Sequence, residues 1–304
     1  MKTNKLIAIM FFAVLVAGCS KDNNEEGSVV PNDGLLHITA EAINSNAKVL
    51  VNPAEPNGAS WVAGEQIDLN GTPCTIARRN DYFYLDGIAP QAVDMYAIYP
   101  ATINANGNDI AVTNNGSTTC AIDIHSYAID IHPDGSHDVI FPMAAYTAAG
   151  GTSLLFRHLT GALRLTLTGS TTHHVTRLVV TATREDGSAA IYKDLKPSWA
   201  NGTLPGIPGG EPGSVINDQG AQFISDMTLV MNTNDGNGHL TQGVDIEAGN
   251  SLTFCIPLLV KELKRFAITG YNGDSQLFSK TKTLDNALDV ERNKMYNIPE
   301  IAID

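Results

Sequence analysis

From Leu36 onward the chain alternates apolar and polar residues in short bursts, each ended by turn-forming residues. The alternation runs through Leu36 to Ala42, Tyr82 to Leu85, Val93 to Tyr99, Leu163 to Leu167 and Val175 to Val180. It returns in Met227 to Met231, Leu252 to Leu258 and Phe266 to Ile268. Successive side chains of a strand point to opposite faces, so a period of two buries one face and wets the other. Between the bursts stand Asn57-Gly58, Asn70-Gly71, Asn115-Gly116, Pro133-Asp134-Gly135, Gly150-Gly151 and Asp186-Gly187, residues that suit tight turns. After the first 18 residues, no stretch of twelve or more keeps an apolar stripe at helical spacing. Many short strands joined by turns predict an all-β protein of Greek-key β-sandwiches.

Composition supports that class and removes others. Of 304 residues, 43% are hydrophobic, enough to bury a core and too many for a disordered chain. Asp and Glu number 32 against 19 Lys and Arg, so no basic surface awaits phosphates and nucleic acid is excluded as a partner. A mean hydropathy of −0.04 excludes a polytopic membrane protein.

The first 18 residues read as an export signal. Lys2 and Lys5 precede a twelve-residue apolar run, Leu6 to Ala17, which is too short to span a hydrocarbon core of about 30 Å. The run ends Val16-Ala17-Gly18-Cys19, which resembles a lipobox: cleavage between Gly18 and Cys19 leaves an N-terminal cysteine to carry acyl chains. Several acyl chains anchor firmly where a single one is marginal. Removing residues 1–18 takes two lysines and no acid, leaving 17 basic against 32 acidic residues, a charge of −15. Residues 19–34 then form an acidic tether that reaches about 55 Å when fully extended. Its Lys21 followed by acids resembles the surface-export signal of lipoproteins in some Gram-negative anaerobes.

Three further cysteines, Cys74, Cys120 and Cys255, are an odd set for an exported chain, so at least one is unpaired. A bridge between Cys74 and Cys120 stays open, and Cys255 falls on the strand face opposite the larger apolar residues of Leu252 to Leu258. A domain boundary is expected near Gly150-Gly151, dividing a sandwich over 35–152 from one over 153–304.

The chain offers little chemistry. Asp130, His132, Asp134, His137 and Asp138, with Asp123 and His125 upstream, are the best metal candidates, but Pro133-Asp134-Gly135 reads as an exposed turn that fixes no geometry. No metal or other cofactor is expected. There is no G-x-S-x-G elbow, no H-E-x-x-H pair and no dinucleotide fingerprint, and the Gly/Pro-rich stretch from Asn201 to Gly213 reads as a connector. The expectation is a protein without catalysis. Trp61 reads as core, whereas Trp199, beside Pro197 and Asn201, is the candidate for a glycan contact.

A set of ordered motifs carries a family resemblance. Trp61, Gly64, Glu65 and Ile67, then Tyr96 to Pro100, then Pro142-Met143 with Leu155 to Leu165, then Arg292 to Ile298, resemble in order the signature of fimbrillin-like lipoproteins of type V pili. The resemblance implies two tandem transthyretin-like β-sandwiches and a role as pilus subunit or adhesin at the outer membrane or in the fimbrium. It implies other pilus subunits as partners through β-strand exchange, with a surface receptor or glycan as a further partner. In polymerising members, proteolysis after an arginine releases the first strand. Here no arginine lies between Cys19 and Arg78, and only Lys21 and Lys48 are basic there; the alternative is cleavage by another specificity, for instance near Lys48. That departure favours an anchor or accessory subunit. The alternative reading is a surface glycan-binding lipoprotein of a nutrient-uptake system.

Overall fold

The computed structural model describes residues 33–40, 61, 63–80, 82–101, 112–114, 120–123, 125–195 and 222–304. Gly18, Cys19, Lys48 and Trp199 lie outside these residues, as does Asn201 to Gly213. Among the described residues the regular structure is all strand.

Seven strands close a barrel in the order His37–Ala40, Ser153–His158, Met143–Thr147, Met95–Tyr99, Gln66–Leu69, Thr72–Arg79, Tyr82–Leu85, and back to the first. Local chemistry sets its hairpins. Asn70 and Gly71 join two of its strands with φ of 51° and 85°. Asn and Gly tolerate this left-handed region, and the resulting turn matches the twist of the strands it joins. Asp68 Oδ1 accepts the Gly71 N–H at 2.7 Å. Inside the barrel, Trp61 meets Tyr99 and Phe156 edge to face, each with ring centres 5.0 Å apart. The Tyr99 hydroxyl donates to Glu65 Oε1 at 2.8 Å, and burial with that carboxylate pushes the phenol well above its usual range. The Trp61–Ile67 and Tyr96–Pro100 motifs are thus two sides of one packed unit, in which the Tyr99–Pro100 peptide is cis.

The other main core lies between a large sheet and a small one. The large sheet runs Phe223–Ile224, Ile191–Tyr192, Val260–Asn272, Arg177–Thr183, Asp226–Asn234, Ser126–Ile131, His137–Asp138. Ser275–Val290 lies along Val260–Asn272, and Leu240–Gln242 along Asp226–Asn234. The small sheet has Gly161–Thr168 at its centre, Ser251–Leu258 on one edge, and Met295–Asn297 with Ile301–Ala302 on the other. Leu163, Leu165, Phe254 and Ile256 from the small sheet and Leu178, Leu229 and Ile268 from the large one are fully buried in one core. Each strand supplies every second residue to it, as period-two alternation requires.

Chain order and sheet order differ around the glycine pair. Gly150 and Gly151 turn between Met143–Thr147 and Ser153–His158, both staves of the barrel. The chain passes to the small sheet at Leu159-Thr160. Conversely, Ser126–Ile131 leaves the barrel segment and pairs in parallel with Asp226–Asn234 of the large sheet.

Candidate strand-docking site

Both ends of the described chain dock in parallel, and on consecutive strands. His37–Ala40 lies parallel to Ser153–His158, with His37 opposite Ser153 and Ala40 opposite Phe156. Met295–Asn297 lies parallel to Gly161–Thr168, with Met295 opposite Ala162 and Asn297 opposite Arg164. Only Leu159 and Thr160 separate the two receiving strands.

His37–Ala40 closes the barrel. Its other edge pairs antiparallel with Tyr82–Leu85 through His37 and Ile38. Leu36 N–H donates to Ile88 O at 3.1 Å, Leu85 N–H to Leu36 O at 3.0 Å, and His37 N–H to Thr152 O at 3.0 Å. Ser153–Phe156 takes its ladder partner from His37–Ala40, whereas Met143–Thr147 pairs only with Arg157 and His158 of that strand. Removing the first strand therefore opens two edges at once, and unpaired edges seek another strand. Leu36 and Ile38 are buried at 0% and 2% exposure, anchors worth about 1.5–3 kcal/mol each. His37 Nε2 hydrogen-bonds Asp33 Oδ1 at 2.9 Å, and this bond above all holds the Asp33 carboxyl below its usual range.

The C-terminal segment is held along its whole length. Asn293 N–H donates to Thr160 O, and Ala162 N–H to Lys294 O, each at 2.9 Å. Arg292 Nη1 donates to His158 O at 3.2 Å. Ile298, Ile301 and Ile303 are buried, which Pro299 does not prevent because the segment is an edge interrupted at that point. At its end the Asp304 carboxylate accepts the Ser170 N–H at 2.6 Å and the Thr171 N–H at 3.3 Å. The Ser170 backbone bond is the main reason its carboxyl falls to about 2.

The histidine and acid cluster of the sequence divides rather than converges. His132 Nε2 bonds Asp138 Oδ2 at 2.7 Å on the exposed side, while Asp134 Oδ1 accepts from Ser136 N–H at 2.9 Å. His137 turns inward and is 7% exposed. Among the described residues, no group of three or more His, Cys, Asp or Glu is placed to hold a metal ion. Cys74 is a buried free thiol. Cys255 is one too, and it packs with Phe141, Ala162 and Met295 on the face opposite Phe254 and Ile256. Sequence reasoning missed the docking roles of Asp304 and His137, since an acid and a turn-proximal histidine read as exposed by default.

No family model and no curated protein matches the chain. Three similar solved structures come from Bacteroides. A "putative cell adhesion protein" of Bacteroides ovatus is 13% identical, with 88% of this chain and 91% of that one covered at a TM-score of 0.44. One of the same description from Bacteroides uniformis is 14% identical, with 89% and 95% covered at 0.38. A fimbrial protein of Bacteroides vulgatus is 12% identical, with 79% and 89% covered at 0.30.

Proposed function

We propose that the chain is a non-enzymatic surface lipoprotein that serves as a fimbrial subunit or adhesin and associates with its partners by β-strand exchange. It is lipidated at Cys19, carried on the 19–34 tether at the outer membrane, and built as two transthyretin-like sandwiches, 35–152 and 153–304, that trade strands across residue 152. The observation that carries this reading is the seat of His37–Ala40. Four residues, entered from the tether side, are the link that closes the barrel between Tyr82–Leu85 and Ser153–His158. A strand so short, with its two apolar anchors in one groove, is the natural element to exchange: main-chain bonds supply affinity and alternate side chains supply register.

The uncleaved chain keeps this groove filled with its own strand and its lipid at the membrane, as an anchor or accessory subunit requires. Cleavage near Lys48 would release the strand and leave the groove to a partner. Intact-mass and N-terminal analysis of the protein from its native outer membrane separates the two. An acylated chain beginning at Cys19 supports the anchor, and a start near residue 49 supports a polymerising subunit. A strictly monomeric protein, with no fimbrial or adhesive change on deletion, would overturn the assembly role.

A further inference from the structure

Ser251–Leu258 pairs with Gly161–Thr168 on one side, and no strand pairs with its other side among the described residues. That outer edge is nevertheless buried at Cys255, which is 1% exposed. A buried N–H there needs an acceptor. It finds one in a side chain 118 residues away in sequence: Cys255 N–H donates to His137 Nε2 at 3.0 Å. Nε2 accepts only through its lone pair, so the neutral imidazole carries its proton on Nδ1. Protonating Nε2 turns both nitrogens into donors, sets two N–H groups face to face and orphans the Cys255 amide.

The surroundings oppose that proton. His137 belongs to the hairpin of Ser126–Ile131 and His137–Asp138, whose turn is built by Gly135 N–H to His132 O at 2.9 Å. From this hairpin Asp138 favours a charged imidazole and His132 disfavours it, and the Asp138 carboxylate is already engaged by His132 at 2.7 Å. From Gly161–Thr168, Arg164 disfavours it. From Ser251–Leu258 the group in contact is Cys255, whose own thiol is pushed up to about 11 by burial and stays neutral. Burial is the largest influence, and it lowers the His137 imidazole to about 4. Immediately after His137 the chain runs through Val139 to Phe141, which packs on Ala162, Cys255 and Met295.

We propose that His137 is an acid-released latch: on acidification it lets go of Cys255, and the segment His137 to Phe141 lifts to bare the edge of Ser251–Leu258. The latch goes beyond the fimbrial reading and stands whether or not strands are exchanged at the first-strand seat. The test is amide hydrogen exchange on the full chain, with protection corrected for intrinsic rate, between pH 7 and 4. Protection over 137–141 and 251–258 falls by up to about tenfold per pH unit below about 6.5, reaching roughly 100-fold by pH 4, while Met143–Thr147 of the barrel keeps its protection. In His137→Gln the amide oxygen still accepts but does not titrate, and the fall disappears. Unchanged protection down to pH 4 in the wild-type chain would overturn the latch. So would a fall in His137→Gln equal to that of the wild type, or a loss spread evenly over the barrel. Should His137→Gln fail to fold, imidazole titration by NMR in the wild-type chain decides: a midpoint well below 6.5 supports the latch, and one at 6.5 or above refutes it.

Discussion

A side-chain carbon added at Gly161 would lie 2.1 Å from the carbonyl oxygen of Glu291 and 2.8 Å from that of Lys294. Both obstacles are backbone, and both belong to the turn that delivers the C-terminal segment to its seat. Nothing there can rotate aside, as the tip of a flexible side chain would. Gly161→Ala is therefore expected to destabilise the protein by about 3 kcal/mol through overpacking. Urea unfolding measures this, and a change below about 0.5 kcal/mol would show that the turn accommodates the methyl group.

The far end of the same segment gives a second expectation. Ile303 is 0% exposed, and the edge it terminates lies against Thr168 through an Ile303 N–H to Thr168 O bond of 3.0 Å. Ile303→Ala is expected to cost about 2–4 kcal/mol, from lost burial and the cavity left behind. Leu240, 42% exposed on a hairpin strand, is the matched control, and Leu240→Ala should stay within about 0.5 kcal/mol. Thermal unfolding of the two variants side by side checks the difference. Equal effects would mean that the C-terminal segment adds little to the fold.

These residues mark what was legible before the structure. Alternation at Leu163 to Leu167 and Leu252 to Leu258 identified both strands and even the face of Cys255, because a period of two encodes which side of a strand is apolar. It does not encode the neighbour. Nothing in Met295 to Asn297 says that it pairs in parallel with Ala162 to Arg164 rather than antiparallel with another strand. For the same reason the passage between sheets at Leu159-Thr160 is invisible: Leu155 to Leu165 alternates on both sides of it, while Gly150-Gly151 announces a turn without saying whether it leaves the barrel. Pro133-Asp134-Gly135 dominates the local signal and makes His137 look like part of an exposed turn, whereas its acceptor role depends on an amide 118 residues away.

Acid should act on the C-terminal segment in a window distinct from that of His137. The Asp304 carboxyl is lowered from 3.8 to about 2, first by the Ser170 N–H that it accepts. Its ionised form is favoured in the folded state. The stabilisation is therefore fully present above the unfolded value and is lost as pH falls through about 4 toward 2. Hydrogen exchange over 295–303 should lose protection in that range, whereas most of the His137 effect is already expressed by about pH 4. Asp304→Asn removes the charge and should flatten the profile between pH 4 and 2. A profile that stays steep in this variant would assign the effect to another carboxylate.

The first strand offers the most direct test of exchange. Ile38 is 2% exposed inside the barrel groove, and an isolated carboxylate there cannot be desolvated without a partner. Ile38→Asp should therefore unseat His37–Ala40 while leaving the core between the large and small sheets intact. Hydrogen exchange would then rise in Tyr82–Leu85 and Ser153–His158, the two strands that His37–Ala40 joins. A labelled synthetic peptide of residues 34–42, with the native Leu36 and Ile38, should bind this full-length variant and restore protection to both strands. The wild-type chain, whose groove is filled by its own strand, should leave the peptide free. Fluorescence anisotropy reads the binding, and a peptide with Ile38→Asp serves as the negative control. If Ile38→Asp opens the barrel but takes up no peptide, the seat is structural and strand exchange must be sought elsewhere in the chain.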